Sequence, residues 1–244
     1  MKFKDSALKR ACKLLFNPIS QECVLLEPHL GLGDSLICIG LVRALSKRHP
    51  EKTFYYAVRF AYFHSVAWMF QDLPNVFPLA IAGEREARQF ASFLNIAYWP
   101  IGIDDVDVRQ FDASFYRQHQ VPFEQRWENS AVPPGPLSES LYQQLNPNDE
   151  PYLLLCKTDS ASIRYELKNI NLAGMKAIEV YPASNNIYDW TKLVLHASQI
   201  HTIDTAFIHL VENILPKNTE KKLCFYRARK STTEFSRRLP WIIS

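Results

Sequence analysis

The chain has 244 residues and a formal charge of +3, with 47% hydrophobic and 22% charged residues, as is ordinary for a soluble globular protein. That length can bury a sizeable core as one large domain or two small ones. So small a charge gives no argument for nucleic acid, and with no apolar run of about 18 residues no segment reads as a membrane span.

The opening stretch, MKFKDSALKRACKLLF, is basic but interrupts its apolar residues every few positions, which is not the pattern of a secretory leader. CVLLEP (23–28) is a short apolar run bounded by turn residues and predicts a buried strand. It leads into HLGLGDSLICIGLVRALSKRHP (29–50), which holds Gly31, Gly33 and Gly40 of the chain's seven glycines. A helix is predicted over 35–48: Ile37, Leu41 and Leu45 recur at i+4, Arg43, Lys47 and Arg48 suit its C-terminal half, and Pro50 closes it. TFYYAV (53–58) predicts a second strand, 61–71 a helix, NVFPLAI (75–81) a third strand and 84–95 another helix.

From 121 to 151 six prolines and weak periodicity predict a linker or long connection carrying one short helix near 137–145. Alternation then resumes. PYLLLCK (151–157) and AIEVYP (177–182) predict strands, 189–197 a helix, QIHTI (199–203) a strand, 205–215 a helix and KLCFYR (222–227) a last strand before a basic tail. This order predicts an α/β protein of two Rossmann-like halves with parallel sheets, the second half shortened. The predicted division is 1–130, a linker over 131–150, and 151–244. Cys12, Cys23, Cys38, Cys156 and Cys224 are odd in number and form no C-x-x-C pair, which predicts reduced, mostly buried thiols of a cytosolic protein and no zinc site.

A glycine-rich turn between a strand and a helix suits an anion, because the backbone turns tightly and helix-start N–H groups face the ligand. The dinucleotide fingerprint is not met: Leu36 stands at its third glycine, Arg59 follows the second strand where an acid would stand, and no Walker lysine occurs. Asp34, directly after Gly33, can cap the helix or accept a proton. A second stretch, LHASQIHTIDTAFIHLVENI (195–214), places Asp204 and Thr205 at a helix start, with His209 four residues beyond Thr205 on one face. Backbone N–H groups, a hydroxyl and an imidazole there could grip a diphosphate. The plainer roles are a cap for Asp204 and a core position for His209. Asp104, Asp105 and Asp107 read as a solvated loop rather than a metal-ligand set.

Together the two stretches resemble glycosyltransferases of the GT-B fold, especially the heptosyltransferase-like glycosyltransferase family 9. That family's Gly-Asp turn and following helix, ending in a basic residue and proline, stands here as Gly33-Asp34 through His49-Pro50. Its second motif, Asp-Ser/Thr then His-Leu, stands as Asp204-Thr205 and His209-Leu210. The two motifs and their flanks cover about a third of the chain. FDASFYRQHQVPFEQRW (111–127) and FYRAR (225–229) resemble features of a shorter branch. The resemblance implies a GT-B-like fold, with an acceptor-side first half and a donor-side second half. It implies sugar transfer from a nucleotide-sugar to a hydroxyl of a glycan or lipid-linked acceptor. Asp34 would be the general base. Gly31, Gly33, Lys157, Arg164, Asp204, Thr205 and His209 would face the donor, with Lys157 and Arg164 nearest to the family's basic residue after the first strand of the second half. It implies no cofactor beyond the donor and no metal.

Family members are commonly longer. A non-catalytic nucleotide- or glycan-binding module on the same frame therefore stays open, as does a nucleotide-sugar epimerase. A cytoplasmic protein is expected, with no nucleic-acid partner. The basic residues near both ends, Lys2, Lys4, Lys9, Arg10 and Lys13 and those of 217–238, suggest either a solvated coat or a peripheral hold on an anionic inner membrane face.

Overall fold

A computed structural model describes residues 22–168, 170–172, 174–227 and 233–243. Cys12, the basic residues of 1–21, Arg229 and Lys230 lie outside them.

The first half is a parallel sheet of β1 (Cys23–Pro28), β2 (Thr53–Arg59), β3 (Val76–Ile81) and β4 (Ala97–Ile101), in the order β3-β2-β1-β4. β1 is buried along its whole length, as a central parallel strand covered on both faces requires. Connecting helices are α1 (Leu32–Arg48), α2 (Phe63–Met69), entered through a 3-10 turn at Phe60–Tyr62, and α3 (Glu84–Leu94). β4 lies at the sheet's edge, paired with β1 through Leu26↔Trp99 and Glu27↔Pro100. Pro100 and the strand's short length hid it from the sequence pattern, and an edge strand is where proline is tolerated.

The connection holds more helix than its composition suggests: α4 (Phe111–Gln118), α5 (Gln125–Glu128) and α6 (Ser138–Leu145). The second half is a parallel sheet of β5 (Tyr152–Cys156), β6 (Lys176–Glu179), β7 (Gln199–Ile203), β8 (Lys222–Tyr226) and β9 (Ile242–Ile243), ordered β6-β5-β7-β8-β9. α7 (Thr191–His196) precedes β7, and α8 (Ala206–Ile214) follows it. Among the described residues no helix joins β5 to β6, so this half is shortened there.

α1 sits between the halves. Leu36 to Val42 are all buried, so the helix is covered around most of its girth and not only along the Ile37–Leu41–Leu45 stripe. One side meets α8, where the Asn213 side-chain amide donates to the Leu36 carbonyl at 3.1 Å. Another meets α5 at Gly40, where an added Cβ would lie 2.0 Å from the Gln125 carbonyl oxygen. From α4 the Tyr116 hydroxyl accepts from Leu41 N–H (3.2 Å) and donates to the Ile37 carbonyl (2.8 Å), joining two successive turns of α1.

Residues 233–243 touch the first half at Glu234 and Ser236, then cross α8 to reach β8 as β9. Glu234 pairs with Phe111 and Val108 through backbone bonds of 3.0 and 2.7 Å. The Glu212 carboxylate, fully buried on α8, accepts from Arg238 N–H (3.0 Å) and Trp241 Nε1 (2.6 Å). The basic tail is therefore partly internal. Arg238 donates to the last carbonyls of α8, Arg237 lies over Phe225 and Phe235, and Lys221 donates to the Ala197 carbonyl. Cys23, Cys38, Cys156 and Cys224 are free, buried thiols, as expected.

Candidate functional site

The site is built where each sheet reverses direction. In the first sheet β1 leads outward to β2 on one side and pairs with β4 on the other. In the second, β5 leads to β6 and pairs with β7. The carboxyl ends of strands at such points are where open α/β sheets place ligands. The turns after β1 and β7 both arise there.

The helix after β1 begins earlier than its sequence predicts. Gly31 is the N-cap and Asp34 sits in the first turn, so Asp34 is not the N-cap. Its carboxylate reaches back to the backbone N–H of Gly31, the reciprocal half of a capping box. That return leaves no room for a side chain at 31, where a Cβ would lie 2.4 Å from Asp34 Oδ2. Burial pushes the Asp34 carboxyl up to about 6. His29 and the N–H donors of Asp34 and Gly31 pull it back, and nearby Asp204 adds to the rise. The result is a carboxylate that is ionised at neutral pH yet basic enough to take a proton.

The second turn abuts the first. A Cβ on Gly33 would lie 3.2 Å from His209 Cδ2 and 3.6 Å from Ala206 Cα, so the glycine lets the two helix starts touch. Thr205, not Asp204, is the N-cap of α8, accepting from Phe207 N–H at 3.3 Å. Thr205 Oγ1 also lies 3.5 Å from Cys156 Sγ at the end of β5. Gly31, Gly33, Asp34, Asp204, Thr205 and His209 thus fall in one place.

Lys157 follows β5 directly, and its Nζ is 3.0 Å from the Glu179 carboxylate. Arg164 binds the same oxygen at 2.8 Å but is largely exposed, farther out on the loop. The two cations share that one carboxylate, and Lys157 directly follows Cys156, whose thiol meets Thr205 at the start of α8. Asp104 and Asp105 are exposed and rim a groove of about 480 Å³ that reaches Arg48 and His49 at the far end of α1. Asp107 caps a 3-10 turn by accepting from Arg109 N–H.

His209 is buried, with Nδ1 3.4 Å from the Arg126 guanidinium and its ring edge-on to Phe235 at 4.5 Å. Burial lowers its pKa well below the usual value, and the charges of Arg126 and Arg237 lower it further. The imidazole is neutral. Sequence reasoning missed Arg126, Asp112 and His29. Arg126 and Asp112 sit in a charged, proline-flanked stretch that looks solvated, yet both are buried and ion-paired. His29 donates to the Gly102 carbonyl at 2.5 Å. Its one signal is its place at the mouth of the glycine turn.

No family model and no curated protein matches the sequence. Solved structures do resemble it. A glycosyl transferase family 9 protein from Veillonella parvula superposes with a TM-score of 0.59 at 9% identity, over 93% of this chain and 87% of that one. The E. coli ADP-heptose LPS heptosyltransferase II gives 0.51 at 8% identity, over 91% and 89%. The iron-containing dodecameric glycosyltransferase TibC of enterotoxigenic E. coli gives 0.52 at 13%, over 90% of this chain and 62% of that one. At such identities the likeness is one of fold: this chain folds as they do, in two Rossmann-like halves of GT-B type, with the second half shortened.

Proposed function

We propose that the protein is a glycosyltransferase that moves a sugar from a nucleotide-sugar donor to a hydroxyl of a glycan or lipid-linked acceptor. The observation that carries this reading is the meeting of the Gly31–Asp34 turn with the Asp204–Thr205 turn, each at the reversal point of its own sheet. The glycosyltransferase folds that superpose on the chain support it. In this reading residues 1–130 face the acceptor and 151–244 the donor. Asp34 takes the proton of the acceptor hydroxyl as that oxygen bonds to the anomeric carbon. The bond from that carbon to the diphosphate breaks, and its electron pair leaves on the diphosphate oxygen. The growing negative charge is met by the N–H groups of α8, by Thr205 and His209, and by Lys157 and Arg164 released from Glu179. No metal is called for.

Thermal-shift measurements against a panel of nucleotides and nucleotide-sugars test the reading, and at least one should raise the melting temperature. For that ligand, His209→Ala is expected to weaken binding about ten- to a hundredfold by calorimetry, the scale of one charge-assisted hydrogen bond. Unchanged affinity together with a large loss of stability would make His209 a packing residue only.

The basic surface belongs to the same reading, as a peripheral hold on the anionic membrane face where lipid-linked acceptors lie. With Lys221, Arg237 and Arg238 engaged internally, Lys217, Lys222 and Arg227 are the exposed described members. At about 1 kcal/mol each, binding should be weak and salt-sensitive. Sedimentation should show more protein on anionic than neutral vesicles at low salt, and none at high salt. Equal recovery on both vesicle types would dismiss the contact.

A further inference from the structure

The 111–127 stretch, which plays no part in the transfer step, surrounds a charge that is fully out of water. Arg126 is 1% exposed. Its guanidinium pairs with Asp112, itself buried, and lies 5.1 Å from the Trp127 ring and 5.9 Å from that of Phe123. Asp112 is further held by Ser236 N–H at 2.9 Å. Ordering these charges inside the protein is costly, and well-packed apolar side chains of similar volume often serve stability as well. The arrangement is also enforced from two sides. Gly40 admits the Gln125–Arg126 backbone against α1, and α4, which carries Asp112, is tied to α1 through Tyr116.

What the buried cation reaches is His209. Its N–H groups can only donate, so the Nδ1 facing it at 3.4 Å can only accept. The ring proton must then sit on Nε2. That atom faces the α1 turn, 3.7 Å from where a Gly33 Cβ would be. Arg237, from beyond β8, adds its charge at the ring, and the buried carboxylates of Asp112 and Glu212 act on the guanidinium.

We propose that Arg126 is a positioning residue that holds His209 as the neutral Nε2–H tautomer, aimed between the two turns as a donor to a diphosphate oxygen. Asp112 and Glu212 offset part of the guanidinium charge, and Arg126 is too deeply buried to meet an anion itself, so it acts on His209 through hydrogen-bond direction. That His209 serves a donor rests on the function proposed above; that Arg126 sets its tautomer does not.

The test is long-range ¹H–¹⁵N NMR of the histidines, with inorganic pyrophosphate as the binding probe. The full chain should show His209 as the neutral Nε2–H form at pH 7. Arg126→Met with Asp112→Asn removes donor and carboxylate together. It should give mixed tautomers and about tenfold weaker pyrophosphate binding. Arg126→Gln with Asp112→Asn keeps an N–H to donate and should restore the Nε2–H form. An Nδ1–H tautomer in the unaltered protein overturns the proposal, even if neither variant folds. Identical spectra for the two variants overturn it as well. Failure of the unaltered protein to bind pyrophosphate overturns the donor role of His209, while the tautomer assignment is then decided by the spectra alone.

Discussion

Replacing Asp34 with asparagine is expected to lower kcat by about a hundredfold or more, the scale of a lost general base, with donor affinity retained. The assay uses whichever nucleotide-sugar stabilises the protein. The pH profile carries the same information. The Asp34 carboxyl is pushed up to about 6, so kcat/KM should fall about tenfold per pH unit below that value in the unaltered enzyme. The asparagine variant should lack this limb. Stability gives the control, and its sign can be worked out. A carboxyl whose folded pKa lies above its unfolded value holds its proton more tightly in the fold, so its contribution to stability declines as pH rises from about 4 to 6. Asparagine carries no charge and can still accept from Gly31 N–H. The variant should therefore melt no lower than the parent at pH 7. A variant that turns over normally but melts early would leave Asp34 a helix-start residue and nothing more.

A large stability loss is expected at Gly40. Alanine there would bring Cβ within 2.0 Å of the Gln125 carbonyl oxygen and 2.9 Å of Arg126 Cα, which are backbone atoms that cannot rotate aside. Relief requires α5 to move off α1, at a cost of about 3 kcal/mol, the upper part of the usual overpacking range. For a chain of this size that lowers the melting temperature by roughly 6–12 °C. Gly83→Ala is the matched control: nothing lies within 4 Å of its Cβ, and its backbone is extended, so the change should stay within about 0.5 kcal/mol. Equal melting of the two variants would mean that α5 does not press on α1 at this point.

These two positions show what the sequence discloses and what it conceals. Strands such as QIHTI announce themselves because a buried parallel strand is a continuous apolar run between turns, and β7 falls on the predicted residues. The two turns were legible for a similar reason, since glycines and Asp-Thr before apolar helices have few other uses. α1 starts before the predicted residue 35 because Leu32 and Gly33 look like turn residues, whereas the capping return of Asp34 draws them into the helix. The burial of α1 on several sides could not be read from its own periodicity. It depends on α5 and α8, whose arrival is set by distant residues. Arg126 is the extreme case: a charged residue between prolines and aromatics looks solvated until Asp112, His209 and Gly40 are brought around it.

The return of residues 233–243 also bears on the order in which the molecule can assemble. Asp112 takes Ser236 N–H, and Glu212 takes donors from Arg238 and Trp241, across 124, 26 and 29 residues of sequence. While the ribosome is still short of these positions, both carboxylates face the interior without these donors, and the first half cannot close around Arg126 in its final form. Contacts of such long range fold slowly, because the loop-closure entropy comes before the reward. A nascent chain halted before residue 236 should therefore hold its strands as far as β8 but remain open at α1, where a chaperone or protease can still act. The two turns that make up the site would come into register only after residues 236–241 had been made.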